Sequence, residues 1–527
     1  LLKIKDTFIV FPYSDRQFRP AHLLIFYNKG HVDLYPFQAK SYFQTSLKIY
    51  FFFLLFFASF CVSFVRAEGP ASCLDVAPLD GGSASDYLVL DVPVALTRAL
   101  NYNRPLVNAF DAKIRAEYAV ILSRGEFDIQ INPESSAGYV GGSRGGAGVS
   151  VGGGLSLAKK FETGTFVTVG PNVLKTPEHY QTNLKAVISQ PLLRGFGTDA
   201  QLSQVRGAQF NFRTACRNLF IARIGLAMQT VQALYEVVKA SKTMEFNGES
   251  HSRIEKFFRA AKMKEKIGLS DGLDVYRAEI ELRQSEESLS AVSERLQETK
   301  DLLRDMLALP LDIPFRVEVP LVYTPNTMEE SEAVGLAFEN RIEMDQAEDQ
   351  WREHYRLSSV AKNNLYPDLN LVLDFANSGR HEVFSRSCTG RRESKWGIGF
   401  TTSGEYDPAG DRIAYEDSRR IIYASERNIE QTKANLTLEV KKSLRHLQRS
   451  CKRIALQEEQ IKTSRAQLYL AQLKFERGMA NNFDVIQAEK TFSASQIAYW
   501  SAIIEHIVGE YHFLAAIGLL TDKPVIK

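Results

Sequence analysis

The chain is poor in the residues from which small cross-linked or metal-held domains are built. Its 527 residues include five cysteines with no C-x-x-C pair and nine scattered histidines with no H-E-x-x-H. This excludes a disulfide scaffold and the common zinc signatures, and no metal or cofactor is implied. An excess of one charge is missing too. Lys+Arg number 64 against 62 Asp+Glu, so the basic surplus of a nucleic-acid binder is absent and no nucleic-acid partner is expected. With 45% hydrophobic and 24% charged residues, the composition is that of a folded protein.

Methionine is absent before Met228, and the sequence opens on Leu1. Residues 1–46 show neither sustained periodicity nor a targeting pattern, and we expect them to be an untranslated or artefactual extension, with initiation at Leu47 from a non-Met codon. Residues 47–67 carry one lysine, an apolar run from Ile49 to Val65, and the small-residue spacing Val65-Arg66-Ala67, as in a secretory signal peptide cleaved before Glu68. The run is shorter than the ~20 residues of a membrane-spanning helix. Cys73 lies too far from it, behind Pro70, for a good lipidation motif. Cleavage there removes more basic than acidic residues, leaving a mildly acidic exported protein.

Three long segments repeat apolar residues every seven positions. Val205, Phe212, Leu219, Leu226, Ala233 and Ala240 form the first seam, beside a row of Ala208, Ala215 and Ala222. Val275, Leu282, Leu289, Leu296 and Leu303 form the second, and Val440, Leu447, Ile454, Ile461, Leu468 and Phe475 the third. Heptad seams of this kind predict coiled-coil packing. The stretches Thr198 to Ile267 and Asp411 to Arg477 would each make a helix on the order of 100 Å long at ~1.5 Å per residue. Asn247-Gly248 predicts a kink or break in the first of them.

Four other segments alternate with period two. Phe127, Ile129 and Ile131; Leu184, Ala186 and Ile188; Leu369, Leu371, Leu373 and Phe375; and Trp396, Ile398 and Phe400 each interleave with polar or small residues, as strands with one apolar face do. In a soluble sandwich that face turns inward, and in a membrane barrel it turns outward to lipid. Export, strand length and aromatic residues near strand ends (Phe127, Tyr366, Trp396) favour the barrel. The glycine-rich tract Gly138 to Gly154 lacks the G-K-[ST] of a phosphate loop. It is expected to be a flexible surface loop merging into a further hairpin, Val149 to Leu157 and Thr165 to Gly170, with Gly164 at its turn.

The sequence also echoes itself. Gly268, Asp274-Val275 and Ala278-Glu279 recur 210 residues later as Gly478, Asp484-Val485 and Ala488-Glu489, and a looser echo joins 99–106 to 337–344. Gly268 and Gly478 are placed to end long helices in the left-handed conformation, with Asp271 and Asn481 capping the next ones. Asp274 and Asp484 then fall about three residues past the caps, where a carboxylate offsets the helix dipole. The expected domain plan is a linker at 68–90, repeat 1 at 91–310, a linker at 311–330, repeat 2 at 331–520, and a tail at 521–527.

These features together resemble the TolC family of outer membrane efflux channels, over roughly Asp91 to Leu520. The resemblance rests on two repeats, paired G-x-x-x-x-(aliphatic/Phe)-D-V tips, and the run Gln190-Pro191-Leu192-Leu193-Arg194-Gly195-Phe196-Gly197 between a strand and a long helix. Pro408-Ala409-Gly410-Asp411 is its degraded counterpart in the second repeat. The resemblance implies an α+β membrane protein: a homotrimer in which each subunit gives about four strands to one shared twelve-stranded barrel in outer membrane lipid, continued by a coiled-coil helical barrel across the periplasm. The Val149 to Gly170 hairpin exceeds that strand count.

It further implies a periplasmic adaptor protein and an inner membrane pump of the RND, ABC or MFS type, in a Gram-negative-type cell. The tips would close the tunnel, with Asp484 in a constricting ring and Asp274 engaged in closure, beside Gln487 and Phe475. This chain departs from the best-known tip, having Phe475 for a tyrosine, Ala480 for an arginine and Gln487 for a second aspartate. The function implied is a passive efflux conduit, not an enzyme. Two alternatives are a type I protein secretion channel, and a periplasmic coiled-coil tether whose strands form a small soluble domain.

Overall fold

The computed structural model describes residues 87–524 apart from 143–144, 269–271, 324–327 and 403–406. The expected extension, signal peptide, cleavage site and Cys73, and the tip residue Asp271, lie outside the described residues.

The alternating segments become one antiparallel sheet. Its strands are β2 (Gln130–Gly142), β3 (Gly145–Lys160), β4 (Phe166–Lys175), β5 (Tyr180–Pro191), β7 (Asn370–His381) and β8 (Arg392–Thr401), paired in that spatial order. A short parallel pair, β1 (Leu88–Leu90) with β6 (Phe315–Val317), stands apart. The expectation of about four strands is therefore corrected to six. The additional hairpin is no excursion from the sheet: β3 pairs with β2 on one side and β4 on the other. The glycine-rich tract is likewise strand rather than loop, with Gly138 opposite Ser150, Ser136 opposite Gly152 and Glu134 opposite Gly154. Glycine suits this ladder where backbones crowd: a Cβ on Gly154 would stand 3.1 Å from the Pro171 carbonyl oxygen.

Register places every expected apolar residue of the strands on the same face. One row runs Ile131, Leu157, Val169, Ala186, Phe375, Trp396, and the next pairs Val167 with Ile188, Leu373 and Ile398. The opposite face carries Asn132, Glu134, Ser136, Ser156, Thr168, Asn172, Asn183, Lys185, Asp374 and Lys395. Among the described residues the short segment Phe384–Thr389 lies over one end of the apolar face, at Thr182 and Gly379, while Ile131, Tyr139, Val149, Trp396, Ile398 and Phe400 are exposed there.

The helices are α1 (Val92–Tyr102), α2 (Arg104–Gly125), α3 (Thr198–Gln201), α4 (Ser203–Lys266), α5 (Gly272–Met306), α6 (Glu330–Asn340), α7 (Ile342–Asn363), α8 (Phe384–Thr389), α9 (Pro408–Glu476) and α10 (Asn482–Ala516). Each half of the chain runs two shorter helices, strands, a long helix and a returning helix. Asp91 and Asn103 cap α1 and α2 by accepting from Val94 and Leu106 amides, and Asp407 caps α9 in the same way.

The long helix α4 is not broken at Asn247-Gly248. The Asn247 amide group donates to the Thr243 carbonyl one turn back at 2.8 Å, and α4 packs along both α5 and α10. That packing outweighs the roughly 1 kcal/mol that a mid-helix glycine costs. The third heptad seam is the best buried: Val440, Leu447, Ile454, Leu468 and Phe475 are all inside, against α10. In the second seam Val275, Leu282, Leu289 and Leu296 remain half-exposed. Among the described residues, no helix is long and apolar enough to cross a membrane.

Candidate functional site: the paired hairpin tips and the strand-to-helix junction

At the tips the chain reverses through two left-handed glycines, Gly268 at φ +74° and Gly478 at φ +71°, a region other residues enter at a cost. After α9 the Met479 amide donates to the Lys474 carbonyl at 2.8 Å and the Gly478 amide to the Phe475 carbonyl at 3.1 Å, which closes the helix end as a Schellman turn. Asn481 and Asp484 then form a capping box at the start of α10, the Asp484 carboxylate accepting the Asn481 amide at 3.3 Å.

Asp484, Phe483 and Gln487 lie exposed in the first turns of α10. Asp274 sits in the matching turn of α5, less exposed, with the Arg277 guanidinium 3.8 Å away. Phe475 does not share their exposed face. It is buried, edge-on to Phe257 at 6.3 Å, with the Lys264 ammonium 3.5 Å from its ring centroid.

Three cross-hairpin contacts that sequence reasoning missed tie the two tips together. Lys264 Nζ donates to the Phe475 carbonyl at 2.8 Å while lying over that residue's ring. Asn482, almost fully buried, donates through its side chain to the Asp274 carbonyl at 3.1 Å. Farther up, Arg253 Nε donates to the fully buried Glu489 carboxylate at 2.7 Å. Glu489 belongs to the repeated Ala-Glu pair, so one signal was present, but its partner lies on a distant helix and no spacing rule reveals it.

At the other end of the helices, the run Pro191 to Gly197 turns β5 into α4. The Leu192 amide donates to the Leu369 carbonyl at 2.8 Å and the Gly195 amide to the Asn363 side-chain oxygen at 2.7 Å. Gly195 and Gly197 have φ of +77° and +94°, Leu193 and Phe196 stay exposed, and Arg194 reaches Asp411 at 3.1 Å. The full run in the first half thus clasps its degraded counterpart in the second. Below it, Asp349 on α7 accepts from Arg213 and Arg217 of α4 at 2.8 to 3.1 Å. Burial pushes its carboxyl pKa up, but the hydrogen bonds and charges of the two guanidiniums outweigh this and hold it below the ordinary value.

One cluster imitates a hydrolase constellation. Ser450 Oγ lies 2.6 Å from His506 Nδ1, and His506 Nε2 lies 3.1 Å from Glu510. His506 is fully buried and Ser450 nearly so, with the hydroxyl also donating to the Leu447 carbonyl. No substrate atom can reach it, and the cluster is a satisfied polar network between α9 and α10.

Residues 333–502 match the family model described as outer membrane efflux protein. No curated protein matches the sequence. Among solved structures, the outer membrane protein VceC of Vibrio cholerae aligns with TM-score 0.64 at 16% identity, over 81% of this chain and 96% of that one. The CmeC outer membrane channel of Campylobacter jejuni aligns with TM-score 0.65 at 12% identity, over 82% and 86%. The open state of the MtrE outer membrane channel of Neisseria gonorrhoeae aligns with TM-score 0.61 at 15% identity, over 85% and 96%. At such identities the likeness is one of fold, while the sequence match is to a family of channels rather than enzymes. Over residues 333–502 the chain thus matches the outer membrane efflux protein family in sequence, within a fold shared with solved outer membrane channels.

Proposed function

We propose that this protein is the outer membrane subunit of a tripartite efflux system, a passive trimeric conduit for substrates delivered by an inner membrane pump through a periplasmic adaptor. The observation that carries this reading is the one-sided sheet. An apolar face spanning all six strands, most of it left uncovered by the described residues, fits hydrocarbon, and the polar face behind it fits a water-filled lumen. The half-exposed seam along α5 fits a helix that finishes its packing against a neighbouring subunit. The work of expulsion belongs to the pump; the conduit supplies a path and a gate.

At the tip, Asp484 and Gln487 point away from the protomer core. Three-fold symmetry would bring three Asp484 carboxylates around one axis, concentrating cations and repelling anions in a narrow bore. Asp274, more enclosed and beside Arg277, takes part in holding the tip shut. Exposed Leu273, Tyr276, Met479 and Phe483 offer the adaptor an apolar surface.

Planar-bilayer conductance of the purified, detergent-extracted protein tests this. We expect discrete cation-selective channels, and we expect Asp484→Asn, which keeps an oxygen to cap the helix, to conduct with weakened cation selectivity. A water-soluble monomer without conductance would refute the channel; unchanged selectivity in a conducting Asp484→Asn channel would refute the ring.

A further inference from the structure

The six-stranded sheet has two free edges, and from them we infer that β8 of one copy pairs with β2 of the next, so that three copies close a wall of eighteen strands instead of twelve. This rests on the channel reading above and adds to it the interface and the width of the barrel.

Two features of the sheet carry the inference. The first is polarity. Neighbouring strands alternate in direction from β2 to β8 without exception, and their even number makes the two edges antiparallel to each other. A second copy can therefore continue the ladder with the same kind of pairing. Within hydrocarbon it must, because an edge of unpaired N–H and C=O groups cannot be left facing lipid.

The second is a slant. The apolar run does not cross the sheet at right angles to the strands. In β8 and β7 it spans Trp396 to Phe400 and Leu371 to Phe375, and in β5 Leu184 to Ile188. In β3 it has moved to Val149 to Leu157, and in β2 to Ile131 to Tyr139. Measured along the register, its centre slides by about six residues over five strand steps; with ~3.3 Å per residue and ~4.8 Å between strands, this tilts the strands by about 40° from the normal to the band. Closed membrane barrels tilt their strands by roughly 35–45°. The slant includes β2 and β3, so these two strands carry their share of one inclined lipid-facing band and belong to the wall.

At that tilt, eighteen strands enclose a backbone cylinder about 36 Å across, against about 24 Å for twelve. The same slope, continued past β8, sets the intersubunit register: Ser136 of one copy falls beside Gly399 of the next, on the polar face.

Cysteine pairing in the full chain, extracted in detergent, reads this directly. Ser136→Cys combined in turn with Lys395→Cys, Gly399→Cys and Thr401→Cys should give disulfide-linked dimers and trimers on a non-reducing gel. Yield should be highest with Gly399→Cys and falling by severalfold at Lys395→Cys. Electron cryomicroscopy of the unaltered protein should count eighteen strands. A conducting trimer with twelve strands in its wall, β2 and β3 outside it and no cross-link from any pair would overturn this inference and leave the channel reading intact. A non-conducting monomer would overturn both.

Discussion

Replacing Lys264 by methionine should loosen the tip without unfolding the helices. In the native tip the ammonium lies 3.5 Å from the Phe475 ring centroid and donates to that residue's carbonyl at 2.8 Å. A cation over an aromatic face, partly removed from water, contributes about 1–2 kcal/mol. A hydrogen bond from a charged donor contributes about 1.5–3 kcal/mol, and regained hydration of the ammonium offsets part of both. Methionine keeps an apolar stem over the ring, so packing against Phe257 and Phe475 is retained. A net loss of about 2 kcal/mol corresponds to amide exchange roughly 30-fold faster. The acceleration should be confined to 262–268 and 474–482, and hydrogen exchange followed by mass spectrometry on the full chain resolves both segments. Lys262→Met is the control, because Lys262 lies 5.8 Å from the Phe258 ring and is exposed; its exchange should stay within twofold of wild type. If Lys264→Met behaved like Lys262→Met, the clasp would carry no energy and the tip would be held by the apolar seam alone.

Two further outcomes follow from buried charge. Glu489→Leu takes from Arg253 its buried carboxylate, leaving the exposed Glu249 and the Phe492 ring, and should cost about 2–3 kcal/mol because the guanidinium is still partly solvated. Adding Arg253→Leu should recover at least half of that in a denaturant titration, and a double variant no more stable than the single one would mean the loss is one of shape rather than charge. Asp349 sets an acid limit. Its folded pKa is lowered, so its contribution is complete above the unfolded value of about 3.9 and disappears as pH falls through the lower folded value. Thermal melting of the wild type should therefore drop between about pH 5 and about pH 2 more steeply than that of Asp349→Asn, and parallel curves would rule the triad out as the source.

Much of this architecture was legible because it rests on short-range rules. Period-two alternation in 184–188, 371–375 and 396–400 marks strands whatever they pair with, and Gly268 and Gly478 end helices because left-handed backbone disfavours a side chain. Two errors came from composition overriding pattern. Glycines at 138–154 suggested a loop, though they pair in a regular ladder in which Gly152 and Gly154 sit where neighbours crowd a Cβ. Asn247-Gly248 suggested a break, though α4 runs unbroken through it, packed on two sides. The site was less legible: the tip carboxylates could be located by repeat, but Phe475 turned out to be enclosed rather than exposed, and Lys264 had no signal.

The sequence by itself determined the periodicities, the turns and caps, and hence which segments are helix or strand, since these follow from steric limits and side-chain spacing within a few residues. Tertiary structure alone decided which strands are neighbours, that six of them share one sheet with a single inclined apolar face, and that Lys264, Asn482 and Arg253 each find a partner more than two hundred residues away. Such contacts depend on how two long helices are set side by side, and that setting is fixed by packing over the whole hairpin.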